Sequence, residues 1–224
     1  MQPPNATILN AVSPEHRQVL SRRGVLAGGL RLAGAGILAV GAVPILERLA
    51  VEAQAFKGDL DVLNYALTLE HLEFAFYRDG IGKFSFGSGP FGESIDAHFA
   101  EFRDHEAAHV RTLTAAIKQL GGTPVAEATY DFGYGNDPQK FLATAQALEN
   151  TGVRAYDGAA SALTTADLLT AAGTIVAVEA RHAAYLDLLT GHVPFPAPFE
   201  QPATRADVLK IVGPFIVGAA TPGA

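Results

Sequence analysis

Residues 102–113 read Phe102-Arg-Asp-His-Glu106-Ala-Ala-His109-Val-Arg-Thr-Leu113, and residues 175–186 read Ile175-Val-Ala-Val-Glu179-Ala-Arg-His182-Ala-Ala-Tyr-Leu186. In each stretch an acid and an imidazole three residues apart interrupt an apolar stripe of helical period. At that spacing both side chains leave one face of a helix toward the same neighbour. Working outward from the first stretch, Phe99, Phe102, Leu113, Ile117 and Leu120 extend the stripe. A helix is therefore predicted over 94–120, with Ser94 as N-cap and Gly121-Gly122 and Pro124 ending it. Ala97 at the third helical position leaves the capping box incomplete. Around the second stretch, Leu169, Ala172, Val176, Leu186 and Leu189 predict a helix over 165–190, capped by Thr164 or Thr165.

Two further helices flank these. One is predicted over 59–79, where Leu63, Ala66, Leu67, Glu70, Phe74 and Tyr77 share a face before Gly80 and Gly82 break the period. The other runs over 138–163 from the start signal Asp137-Pro138, with Leu142, Ala145, Glu149, Val153, Tyr156 and Ala160 on its face. Residues 121–137 lack a helical period. Seventeen extended residues span roughly 55 Å, whereas a 25-residue helix is roughly 38 Å long. The link can thus travel the length of a bundle and set the third helix parallel to the second. The third and fourth helices adjoin almost directly and should be antiparallel. The expected fold is all-α, an antiparallel four-helix bundle with a long crossover between its second and third helices. A proline-rich extension, 191–224, should pack along the bundle, with a short helix over 205–212 and frayed last residues.

The 224 residues are 49% hydrophobic and 17% charged, enough for one sizeable core. The formal charge of −7 offers no basic footprint, so nucleic acid is not an expected partner. The absence of cysteine excludes disulfides, thiolate metal sites and cysteine nucleophiles. Any metal must be held by oxygen and imidazole nitrogen.

Residues 1–55 differ in character. Ser21-Arg22-Arg23-Gly24 precedes an apolar run from Val25 to Leu46, and Ala53-Gln54-Ala55 has the small residues of a cleavage site. The segment resembles a twin-arginine export signal, which implies a periplasmic or extracellular protein. A retained signal would tether the domain to a membrane. From residue 56 onward, 11 Lys and Arg face 20 Asp and Glu, a formal charge of −9. The bundle proper is placed at 56–190.

Each of the four helices carries one acid near the middle of an apolar face: Glu70, Glu106, Glu149 and Glu179. A lone buried carboxylate is costly, and four at one level repel one another and take up protons. Divalent cations remove the conflict. With His109 and His182 the set offers six side chains for two ions and leaves positions open for an oxidant. Hard oxygen and imidazole donors suit iron or manganese. Glu106 and Glu179, each joined to an imidazole on its own turn, are expected to bridge, and Glu70 and Glu149 to be terminal. Glu73, one turn from Glu70, can replace or join it; Glu70 is preferred because it shares a face with Leu63, Leu67, Phe74 and Tyr77. Tyr77 and Tyr156 either donate hydrogen bonds to ligand carboxylates or are core residues. His105 and His71 are read as surface groups or supports for ligands, and Asp104 and Arg181 as solvent-facing.

This pattern resembles the ferritin-like superfamily, whose order is Glu, ExxH, Glu, ExxH on successive helices. The strings Leu69-Glu-His-Leu-Glu-Phe-Ala-Phe-Tyr77, Glu106-Ala-Ala-His-Val110, Glu149-Asn-Thr-Gly-Val-Arg-Ala-Tyr156 and Val178-Glu-Ala-Arg-His-Ala-Ala-Tyr185 are closest to the bacterial ferritin-like desiccation-related family. The resemblance implies a dinuclear iron or manganese site and stress association. Some related exported bundles are similar to manganese catalases. The expected function is reaction with peroxide or dioxygen in stress protection, with a homo-oligomer compatible with it. The competing expectation is a non-enzymatic desiccation or envelope stress protein with a structural or vestigial metal pair, binding partners through the Phe-rich loop 80–92. Iron storage would need a closed shell, for which no interface is legible.

Overall fold

A computed structural model describes residues 56–218. Residues 1–55, on which the expected export signal falls, and the last six residues lie outside the described residues. Among the described residues five α-helices follow in order: α1 (Asp59–Gly80), α2 (Ile95–Gln119), α3 (Pro138–Ala159), α4 (Ala166–Leu189) and α5 (Arg205–Val212). Two short strands, β1 (Thr129–Tyr130) and β2 (Ile216–Gly218), pair antiparallel. The first four helices form the bundle. No helix among the described residues is long and apolar enough to cross a membrane.

The ends are set by local chemistry. Ser94 accepts from the Ala97 amide at 3.2 Å and starts α2. Asp137 accepts from the amides of Gln139 and Lys140 and starts α3, with Pro138 at the first helical position. The threonines before α4 act differently from the expected cap. Both hydroxyls donate to Asp59, so they tie the α3–α4 corner to the start of α1 instead of satisfying α4's own amides.

The crossover runs along α1 from one end of the bundle to the other. Val125 donates its amide to Asn64 and its carbonyl meets His71 Nε2, Glu127 meets Arg78, and Phe132 stacks edge-on against Phe76. Helix α3 then starts beside the end of α1, where Phe141 lies so close to Gly80 that a side chain there would collide with its ring. Helix α3 is therefore antiparallel to α1 and parallel to α2, as the length of the link predicts. β1 lies within this crossover and β2 closes on it, so residues 216–218 are ordered by pairing where fraying was expected. The proline-rich tract folds back as expected: the Ala203 amide donates to Arg154 O, and Gly158 gives the Ala203 carbonyl room to approach α3.

Several expected faces are corrected. Leu120 is 46% exposed and Leu169 is 44% exposed. In α4 the inward row runs through Leu168, Ala172, Ile175 and Glu179, about 100° around the helix from Leu169. Helix α1 is buried on far more than one face, with Tyr65, Leu69, Leu72, Glu73 and Phe76 inside, because α2, α3 and the crossover all pack on it. Phe74 is only half-buried, beneath the Arg78 guanidinium. In the loop after α1, Phe84 and Phe86 pack on the core and Phe91 alone of the three projects outward, so that loop offers one exposed ring and not an aromatic surface.

Candidate metal centre

Glu70, Glu106, Glu149 and Glu179 are all fully buried, and His109 and His182 nearly so. They form two overlapping groups: Glu70, Glu106, His109 and Glu179 in one, and Glu106, Glu149, Glu179 and His182 in the other. Within each group the donor atoms lie within 4.8 Å of one another. Glu106 and Glu179 belong to both. The six residues singled out by spacing are thus the six brought together. Glu73 is equally buried but belongs to neither group.

Both imidazoles face the acids through Nδ1. His109 Nδ1 lies 3.1 Å from Glu70 Oε2, 3.1 Å from Glu106 Oε2 and 2.9 Å from Glu179 Oε1. His182 Nδ1 lies 3.1 Å from Glu106 Oε1 and 3.2 Å from Glu149 Oε2. The two acids found in one group each are held by tyrosines from across the bundle. Tyr77 on α1 donates to Glu149 on α3 at 2.7 Å, and Tyr156 on α3 donates to Glu70 on α1. Both tyrosines are buried and both donate to carboxylates, so the two readings given for them hold together.

Of the two readings given for His105, surface group or support, its contact with His182 favours the second. Its Nδ1 lies 2.9 Å from His182 Nε2, and the two rings are stacked within 2° of parallel. With Nδ1 given to a cation, His182 Nε2–H would donate to His105, which holds the ring plane. Phe102 stacks on His182 at 4.0 Å. His71 instead meets the crossover carbonyl of Val125, and Glu101 pairs with His98 on its own helix. Asp104 and Arg181 are exposed, as expected.

The electrostatics describe a site built for positive charge. Burial pushes Glu70 up to about 8, and burial with repulsion from Glu106 holds Glu179 well above the usual carboxylate range. Burial also works against an ionised Glu106, but hydrogen bonds from His109 and His182 carry it down to about 2. Burial disfavours charge on the imidazoles too. The surrounding carboxylates win, raising His109 to about 12 and His182 to about 9. Without cations, protons on these groups hold the acids together.

Protons do not satisfy the site fully. Glu106 Oε1 and both oxygens of Glu179 are buried with no aligned hydrogen-bond partner; their short contacts to imidazole are close enough for ion pairs but poorly directed. Asp187, another buried acid, shows how this fold treats a carboxylate that needs no cation: Gln146 and Asn150 donate to it at 2.7 and 3.1 Å. Within the two donor groups, the oxygens left over are those of the two shared acids. Their number, hardness and closeness to two imidazoles fit a pair of divalent ions. One helical turn away, Ala66, Leu113, Tyr156 and Ile175 help line an almost wholly apolar chamber of about 40 Å³.

Residues 58–192 match the ferritin-like domain family. The chain belongs to that family. The matched span covers the whole ferritin-like bundle and all six buried donors. No curated protein matches the chain.

Proposed function

We propose that this ferritin-like protein is exported, that Glu70, Glu106, His109, Glu149, Glu179 and His182 hold two iron or manganese ions, and that it reacts with peroxide or dioxygen in stress protection. The observation that carries the reading is the sharing of Glu106 and Glu179 by two buried donor groups. Such a pair, when bound, supplies two-electron redox chemistry toward an oxygen oxidant. The chain's own residues do the rest. Tyr77 and Tyr156 hold the terminal carboxylates, His105 orients His182, and the buried walls exclude bulk water. The apolar chamber offers a small oxidant a dry space one turn from the acids.

The test is peroxide consumption by the metal-loaded protein, measured beside its bound metal. Two ions per chain and turnover that disappears in Glu149→Ala support the reading; near-zero metal after reconstitution sinks it. Metal-dependent melting without turnover would favour the second reading, a desiccation or envelope stress protein in which the pair braces the bundle. The complete burial of the four acids favours that alternative, since neutralising them stabilises the core whether or not chemistry follows. Export rests on Arg22-Arg23 before the apolar run. Replacing both with lysine should retain the protein in the cytoplasm, and unchanged secretion would refute that part.

A further inference from the structure

Glu73 is a fifth acid in the middle of the bundle, 3% exposed, one turn after Glu70 on α1. Its Oε2 is buried without a hydrogen-bond partner. Burial, then repulsion from Glu179, Glu149, Glu70 and Glu106, disfavours its charge. Among the described residues no lysine, arginine or amide side chain bonds that oxygen, in contrast to Asp187, which accepts from Gln146.

The room for this side chain comes from α3. A Cβ at Gly152 would sit 2.9 Å from Glu73 Oε1 and 3.7 Å from Glu179 Oε2. The two carboxylates therefore flank one small space, which any residue other than glycine would fill. Glycine inside a helix is unfavourable relative to alanine, and here it lies in the buried middle of α3. Its position also matters. Glu149 and Tyr156 on α3 stand at the spacing of Glu70 and Tyr77 on α1, and Gly152 occupies the place that corresponds to Glu73. Only one of the two equivalent positions carries an acid, and the other is emptied to receive it.

We propose that Glu73 is a reserve ligand, a seventh protein donor that enters coordination beside Glu179 when the metal pair is oxidised. The inference rests on the dinuclear reading above. Four carboxylates with two neutral imidazoles balance two divalent ions. Once the pair has lost electrons, its charge exceeds what those four supply, and in a site without bulk water the compensation must come from the protein or from the oxidant's products. Glu73 is the remaining carboxylate at that depth among the described residues.

The test uses the full chain loaded with Fe(II) and then oxidised with hydrogen peroxide, which takes two electrons from the pair and, with two protons, leaves as two waters. Wild type, Glu73→Gln and Gly152→Ala are compared for Fe(II) uptake, release of Fe(III) to a chelator, and oxygen coordination by X-ray absorption. Glu73→Gln should take up two Fe(II) as wild type does, release Fe(III) at least tenfold faster, and show fewer oxygen neighbours only in the oxidised state. Gly152→Ala should shift the same oxidised-state readouts, because it displaces the Glu73 carboxylate. Unchanged Fe(III) release and coordination in Glu73→Gln would overturn the inference. Loss of Fe(II) uptake by that variant would also overturn it, making Glu73 a resident ligand. Metal-free melting controls for folding: Glu73→Gln should melt no lower than wild type, since it removes a buried acid without a partner. Wild-type protein that binds neither iron nor manganese would defeat the dinuclear reading and this inference together; metal in the wild type with an indifferent variant defeats this inference alone.

Discussion

The helical pair α1–α2 carries Glu70, Tyr77, Glu106 and His109, and the pair α3–α4 carries Glu149, Tyr156, Glu179 and His182 at the same internal spacings. Yet neither pair is self-sufficient. Tyr77 serves the acid of the other pair and Tyr156 does the reverse, while His109 reaches Glu179 and His182 reaches Glu106. Each donor group borrows a shared acid from the opposite pair. The halves then diverge around this common frame. Glu73 on α1 is answered by Gly152 on α3, and His105 before Glu106 is answered by Val178 before Glu179. The equivalent residues would create the two ion positions; the divergent ones make those positions unequal. His182 is locked by an imidazole and a phenyl ring, with a side chain only 2% exposed, whereas His109 keeps 11% of its side chain exposed.

The largest effect should come from breaking what the halves share. Glu106→Ala or Glu179→Ala removes a donor from both groups, so bound metal should fall from two ions toward none, with affinity lowered at least ~100-fold. His109→Ala and His182→Ala should each lose mainly one ion. Metal stoichiometry by elemental analysis distinguishes these outcomes. Loss of both ions in a histidine variant, with only one lost in the shared-acid variants, would refute the division into shared and private donors.

A smaller effect concerns how protons substitute for cations. In the metal-free protein Glu70 is raised to about 8, His182 to about 9 and His109 to about 12. The folded state therefore holds more protons than the unfolded state from about pH 4.5 upward, and stability must fall as pH rises. The stabilisation of the charged imidazoles is complete below the ordinary histidine value and is lost as pH rises through the folded values. Glu106, lowered to about 2, acts in the opposite direction, losing its contribution as pH falls from about 4.5 toward 2. Thermal melting of the metal-free protein should be highest near pH 5 and weaken toward pH 9 by on the order of several kcal/mol. Metal loading should flatten that slope. A metal-free melting point that rises from pH 5 to pH 9 would contradict the proton assignment.

The smallest effect isolates one asymmetry. His105→Ala should weaken the ion on the His182 side by about tenfold, because the ring loses the group that orients it. Val178→Ala should leave the ion on the His109 side within about twofold. Metal titration calorimetry resolves the two ions; equal losses in both variants would show that the halves are not differentiated at these positions.

Much of this was legible along the chain. The ExxH repeats, the single acids on the other two helices and the length of the crossover were enough for the bundle, its topology and the six donors that meet. The preference for Glu70 over Glu73 agrees with the donor groups, but the face argued for it does not hold. One-face reasoning grouped Glu70 with Phe74, but α1 is enclosed on several sides, so two acids a turn apart are both buried and Phe74 lies toward the surface under Arg78. A signal was present in Gly152, which stands after Glu149 as Glu73 stands after Glu70. His105 stayed open between surface group and support, because a residue 100° off the buried face reaches a ligand only if a neighbouring helix brings that ligand to it.

Helical period and spacing are local properties, and they determined which residues share a face: the bundle's four helices, their acids and the imidazole one turn beyond two of them. Reciprocity is not local. That Tyr77 holds Glu149, that His105 holds His182, and that Gly152 makes room for Glu73 each depend on atoms 72, 77 and 79 positions apart in the chain. The crossing and rotation of packed helices decide such contacts, because a helix fixes the direction of its own side chains and leaves what they meet to its neighbours.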